Sequence, residues 1–182
     1  MSETASELVL RLAAEHHARG AFRALLALGA AALPGVRAGL THDSRAVRYW
    51  CCRFLDHFVA AEMVDDLFEM LADPAPEVRA AAMHALACDR CKAGDCRPDA
   101  KRTLTLAMER LRCDPDAHVR AHAVGAIGEM ANESGEALQA ILAAAGSDPS
   151  PAVRKKARWY APGGPIFERQ RSKSGRLRRR AA

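Results

Sequence analysis

Residues 88–96 read CDRCKAGDC and place Cys88, Cys91 and Cys96 within nine positions. The C-x2-C-x4-C spacing offers three thiolates to one ion, and Zn²⁺ takes four N or S ligands at the corners of a tetrahedron. His84 stands four residues before Cys88, one helical turn back on the same face, and supplies a fourth corner. Asp89 and Asp95 are oxygen alternatives. Two other readings stay open: Cys91 and Cys96 as a redox pair, or reduced thiols that hold nothing. Cys113 is excluded because it stands at the far end of the next helix, and a helix of ~15 residues is roughly 22 Å long.

The elements that position this cluster emerge from internal repetition. Four segments align: HDSRAVRYWCCRFL, DPAPEVRAAAMHAL, DPDAHVRAHAVGAI and DPSPAVRKKARWYA. Their valines are Val47, Val78, Val119 and Val153, at spacings of 31, 41 and 34, and each is followed by Arg: Arg48, Arg79, Arg120 and Arg154. Asp73, Asp114 and Asp148 each begin an Asp-Pro pair, and Asp43 fills the slot in the first segment. Four residues after each Val comes Cys51, Ala82, Ala123 or Ala157; eight after comes Leu55, Leu86, Ile127 or Ala161. Offsets zero, four, seven and eight form one apolar stripe at helical period. Asp suits an N-cap and Pro suits a first turn, so each unit reads as helix, Asp-Pro turn, helix. The predicted helix pairs are 4–18 with 20–28, 30–40 with 45–58, 61–72 with 76–88, 98–112 with 116–131, and 134–146 with 150–160.

The Asp-Pro turn, the Val-Arg pair and the small and large apolar positions after it resemble the HEAT-repeat family, in the short bacterial form of phycobilin lyase subunits. The resemblance covers about residues 20–160. It implies an all-α fold, an α-α superhelix or HEAT-repeat solenoid of armadillo type with about five helix pairs. In that family the repeated Asp and Arg form a ladder of hydrogen bonds between neighbouring repeats. Carried over, the ladder is Asp73–Arg79, Asp114–Arg120 and Asp148–Arg154, with Asp43–Arg48 one residue short, and these arginines are structural rather than a nucleic-acid patch. Second helices line the concave face, the usual binding surface. Offsets three, six and ten put Trp50, Arg53 and His57, then Ala81, His84 and Cys88, then His122, Gly125 and Glu129 on that face. Trp50, Arg53, His122 and Glu129 are the expected protein-binding residues. His57 shares its offset with Cys88, which makes it the alternative fourth metal ligand.

The 41-residue spacing is ten longer than the 31-residue one, and the excess falls where CDRCKAGDCRP lies. The cluster is therefore an insertion at residues 88–98, on a scaffold that does not require it. Cys51 and Cys52 fall at core offsets and read as buried small hydrophobes.

Composition narrows the class further. The chain has 182 residues, 49% of them hydrophobic and 5% aromatic, and strand formers are scarce. No eighteen apolar residues run together and the N-terminus lacks a basic leader, so the expectation is a cytoplasmic protein with no membrane partner. Net charge is +5, yet from Arg154 onward eleven Lys and Arg face Glu168 alone. The basic charge belongs to the tail, and the body is mildly acidic.

Residues 1–165 therefore form the expected repeat domain. Trp159, Tyr160, Ile166 and Phe167 are placed as a cap on the last repeat, and 166–182 as a basic, disordered tail. No catalytic constellation stands out: there is no Gly-rich phosphate loop, and the His-Glu dipeptides of HEAT-fold di-iron hydroxylases are missing. The leading expectation is a non-enzymatic scaffold that binds a protein through its concave face, with Zn²⁺ in the Cys loop. The alternatives are nucleic-acid binding through Arg171, Lys173, Arg176, Arg178, Arg179 and Arg180, or a lyase-type enzyme subunit.

Overall fold

A computed structural model describes residues 3–88 and 98–172. The described residues are all-α, and the chain divides into two compact units, Met1–Pro98 and Asp99–Ala182. The division falls at the end of the Cys insertion.

The first unit holds α1 (Ala5–Arg11), α2 (Glu15–Leu28), α3 (Leu33–Gly39), α4 (Arg45–Leu55), α5 (Val64–Glu69) and α6 (Pro76–Ala87). Short 3-10 turns precede α3 and flank α5. The second unit holds α7 (Ala100–Cys113), α8 (Ala117–Gly128), α9 (Gly135–Ser147) and α10 (Pro151–Tyr160). In both, the second helices of neighbouring repeats pack on each other, α4 against α6 and α8 against α10.

The repeat register sets the core. Val47, Val78, Val119 and Val153 are all fully buried, as are Cys51, Ala82, Ala123 and Ala157 four residues on. Small residues at that offset let neighbouring second helices approach closely, and each buried Val contributes about 1.5–3 kcal/mol. Gly39 serves the same purpose on α3: a Cβ there would stand 2.5 Å from Cys51 Sγ and 2.9 Å from Val9 Cγ1.

The ladder residues are those expected, but the pairing differs. Arg120 Nε and Nη2 donate to Asp148 Oδ2 and Oδ1 of the next repeat, at 2.9 and 3.0 Å. Arg48 does the same to Asp73, at 2.6 and 3.0 Å. Within its own repeat each Arg reaches backbone carbonyls instead. Arg79 Nη1 donates to Asp73 and Pro74 O, Arg120 Nη1 to Asp114 and Pro115 O, and Arg154 Nη1 to Asp148 and Pro149 O. Arg48 Nη1 likewise takes the carbonyls of His42 and Asp43. The expected pairs Asp73–Arg79, Asp114–Arg120, Asp148–Arg154 and Asp43–Arg48 thus meet through carbonyls. The reason is reach: an Arg six residues on lies one helical turn inside its own repeat, with its fork aimed at the next.

These aspartates are not N-caps either. Asp73, Asp114 and Asp148 end the preceding element, and each accepts from the N–H two residues later, of Ala75, Asp116 and Ser150. Ala75, Asp116 and Ser150 are the N-cap residues, with Pro76 and Pro151 starting α6 and α10. At Asp73 and Asp148, Oδ1 closes the turn and also accepts from the neighbouring Arg, which takes Oδ2 as well.

Three local expectations are corrected. The first break falls at residues 12–14, not near Gly20, which lies inside α2 with open space where a Cβ would be. The run Glu15–Gly39 is long and apolar enough, by length and composition, to cross a membrane. It is interrupted at Gly29 (φ 57°), and its Ala18, Ala21, Leu25, Ala32 and Val36 are buried in the first unit. The C-terminal boundary shifts too. Residues 165–172 are helical, Phe167 is buried, and Asn132 Nδ2 donates to Phe167 O and Gln170 Oε1, both at 3.3 Å. Tyr160 joins Phe167 in the interior, while Trp159 stays exposed.

Candidate functional site

Asp56, His84 and Cys88 bring their donor atoms within 4.8 Å of one another. Asp56 caps the C-terminus of α4, where its N–H donates to Cys52 O at 3.1 Å. His84 lies in the last turn of α6, and Cys88 is the C-cap, leaving the helix in extended conformation while its N–H still donates to His84 O at 2.9 Å. His84 Nε2 stands 3.3 Å from Asp56 Oδ2. The carboxylate is fully buried and the His84 side chain is 36% exposed, so the cluster has a protein-facing floor and an open side.

Two of the expected ligands, His84 and Cys88, are therefore together. Cys91 and Cys96, with Asp89 and Asp95, lie outside the described residues. His57 is not in the cluster. Helix α4 ends at Leu55, three residues short of the expected end, so His57 falls beyond the cap with its ring 6.3 Å from that of Phe22. The same early end turns Asp56 inward. An acid at a helix C-terminus works against the helix dipole, which is the signal that sequence reading passed over. Cys113 ends α7, exposed, with Arg112 Nε 3.5 Å from its sulfur.

The expected binding residues of the first unit share one face. The Trp50 ring packs on Phe22 at 4.9 Å and meets Tyr49 edge-on at 5.3 Å. Arg53 Nη1 is 3.5 Å from Tyr49 Oη, while its Nε is buried without a hydrogen-bond partner among the described residues. A carboxylate or carbonyl arriving from outside would satisfy it.

In the second unit, His122 packs edge-on against His118 at 4.7 Å. Glu129 accepts from Gln170 Nε2 at 2.8 Å, so the segment after α10 engages it from within the chain. Lys156 completes this face and was missed by the sequence reading, although it sits three residues after Val153, the offset of Trp50 and His122. Its Nζ comes 3.4 Å from where a Cβ on Gly125 would stand, and burial lowers its pKa.

Cys51 and Cys52 are buried, as expected. Burial pushes the Cys51 thiol up to about 12 and Cys52 upward as well, so neither supplies a thiolate near neutral pH. Of the expected nucleic-acid residues only Arg171 is described, 3.0 Å from Glu168. Lys173, Arg176, Arg178, Arg179 and Arg180 lie outside the described residues.

The family model for HEAT repeats matches residues 33–109 and 104–161, well over half the chain. The chain belongs to the HEAT-repeat family. In HEAT terms, α4, α6, α8 and α10 are second helices of consecutive repeats, and Asp56 and His84 meet across two of them. No curated protein matches the chain, and the phycobilin-lyase subtype remains an expectation from sequence resemblance.

Proposed function

We infer that this HEAT-repeat scaffold binds a protein partner along its second helices, with Trp50 and Arg53 as anchors. The observation that carries the reading is the buried Arg53 Nε, unpartnered among the described residues, beside the Trp50–Tyr49–Phe22 cluster. A guanidinium edge without an acceptor costs stability in the free protein. An aromatic platform next to an Arg is also the composition of binding hot spots. The segment that fits presents a carboxylate to Arg53 and apolar surface to Trp50.

Affinity capture tests this reading. Wild-type chain is expected to retain a defined protein, insensitively to nuclease, and Trp50→Ala and Arg53→Ala to lose that protein while keeping wild-type thermal stability within about 1 kcal/mol. Recovery of the same proteins by all three chains would contradict it.

A second reading, nucleic-acid binding, is favoured by the concentration of Lys and Arg after Glu168. Phosphate contacts make affinity fall steeply with salt. A chain lacking 169–182 that binds RNA or DNA as the full chain does would exclude a tail-driven mechanism.

A further inference from the structure

We propose that Asp56, His84 and Cys88 form an inter-repeat site for a divalent cation of the Zn²⁺ class, clipping the end of α4 to the end of α6. The site stands independently of the partner reading above. Its central feature is Asp56, which the cysteine spacing alone does not indicate.

The donor chemistry fits. One carboxylate oxygen, one imidazole nitrogen and one thiolate are all Zn²⁺ ligands, with bonds of about 2.0–2.3 Å. Such bonds set the edges of a tetrahedral site at roughly 3.3–3.8 Å. The His84 Nε2–Asp56 Oδ2 edge is already 3.3 Å, and the widest separation within the group is no more than 4.8 Å. Side-chain rotation closes that remaining gap. The fourth position falls on the open side beside His84, where water or another donor completes the shell.

The electrostatics point the same way. All three donors stand at helix C-termini, Asp56 as the cap of α4, His84 in the last turn of α6 and Cys88 as its cap. Both helix ends present negative partial charge, which attracts cations. Asp56 adds a full negative charge at one of these ends while wholly removed from water. Burial, dipole and carboxylate all favour a positive partner in this place. A divalent ion binds the carboxylate, imidazole and sulfur together.

The test is a Zn²⁺ competition titration against a chromophoric chelator, on full-length chain stripped of metal. One Zn²⁺ per chain is expected. Asp56→Asn, His84→Ala and Cys88→Ser should each weaken binding at least ~10-fold, the scale of losses seen on disturbing metal ligation. Cys113→Ser should match wild type. With Co²⁺ in place of zinc, the thiolate charge-transfer band should vanish in Cys88→Ser and persist in Cys113→Ser. His84 is partly exposed, so His84→Ala keeps the test decisive even where replacing the buried Asp56 harms folding. The proposal is overturned if the wild type retains no Zn²⁺. It is also overturned if His84→Ala and Asp56→Asn bind as tightly as wild type, or if binding follows Cys91 and Cys96 alone.

Discussion

Arg120 grips Asp148 of the following repeat through two parallel hydrogen bonds, while its remaining nitrogen holds the carbonyls of Asp114 and Pro115 in its own. One guanidinium thus ties the turn of one repeat to the turn of the next. Both side chains are at least nine-tenths buried. Breaking a buried pair by removing one partner costs about 3–5 kcal/mol, because the other charge is stranded. Arg120→Ala should therefore unfold the second unit at markedly lower denaturant. Arg120→Lys should recover only part of the loss, since an ammonium cannot span both oxygens and two carbonyls. Denaturant unfolding of the two variants and of the Arg120→Ala/Asp148→Ala pair measures the coupling.

The same pair sets an acid response. Burial raises the Asp148 pKa, but hydrogen bonds from Arg120 and the Ser150 N–H, with the nearby charges of Arg120 and Arg154, outweigh it, and the net shift is downward from 3.8. A depressed carboxylate pKa contributes stability that is fully present above the unfolded value and is lost as pH falls through the folded one. Stability should hold from neutral pH down to roughly pH 5 and fall below about pH 4, where the unfolded carboxylate begins to take up protons. Asp148→Asn should flatten this limb, as read by thermal melts from pH 7 to pH 3.

Gly128 of α8 lies against the Tyr160 ring of α10. A Cβ there would run into the Tyr160 ring. Gly128→Ala should destabilise the second unit by about 1–3 kcal/mol through overpacking, against the helix-propensity gain of up to ~1 kcal/mol that Ala brings elsewhere. Gly20→Ala, with open space at the same test, should be neutral or stabilising. Opposite signs in the two melts are the expected outcome.

Thiol labelling separates the cysteines. Cys113 is exposed and should react with iodoacetamide in the native chain, whereas Cys51 and Cys52 should label only on unfolding, because burial both hides them and keeps them protonated. Mass mapping of native and denatured digests reads this directly.

The fold was legible because the Val-Arg register is a packing constraint: offsets zero and four must be apolar and small wherever second helices meet. The ladder partners were not, since a sequence places Arg79 six positions after Asp73 but does not say which repeat its long side chain reaches toward. The expected break between residues 18 and 20 falls inside α2, where Gly20 is tolerated because nothing packs on it. The turn at residues 12–14 carries no Gly or Pro to betray it. At the cysteine cluster, His84 and Cys88 followed from helical spacing. Asp56 did not, because running α4 on to residue 58 put His57 where Asp56 stands. A boundary error of three residues is most of a helical turn, enough to exchange one ligand for another.

The most direct measurement of partner binding is site-specific photo-cross-linking in cells, with a benzophenone side chain placed at Trp50 on the second-helix face and, separately, at exposed Glu69 on α5. A discrete protein adduct from position 50, absent from position 69 and weakened by Arg53→Ala, is the expected result. Equal adducts from both positions, or none from position 50, would contradict binding through the second helices.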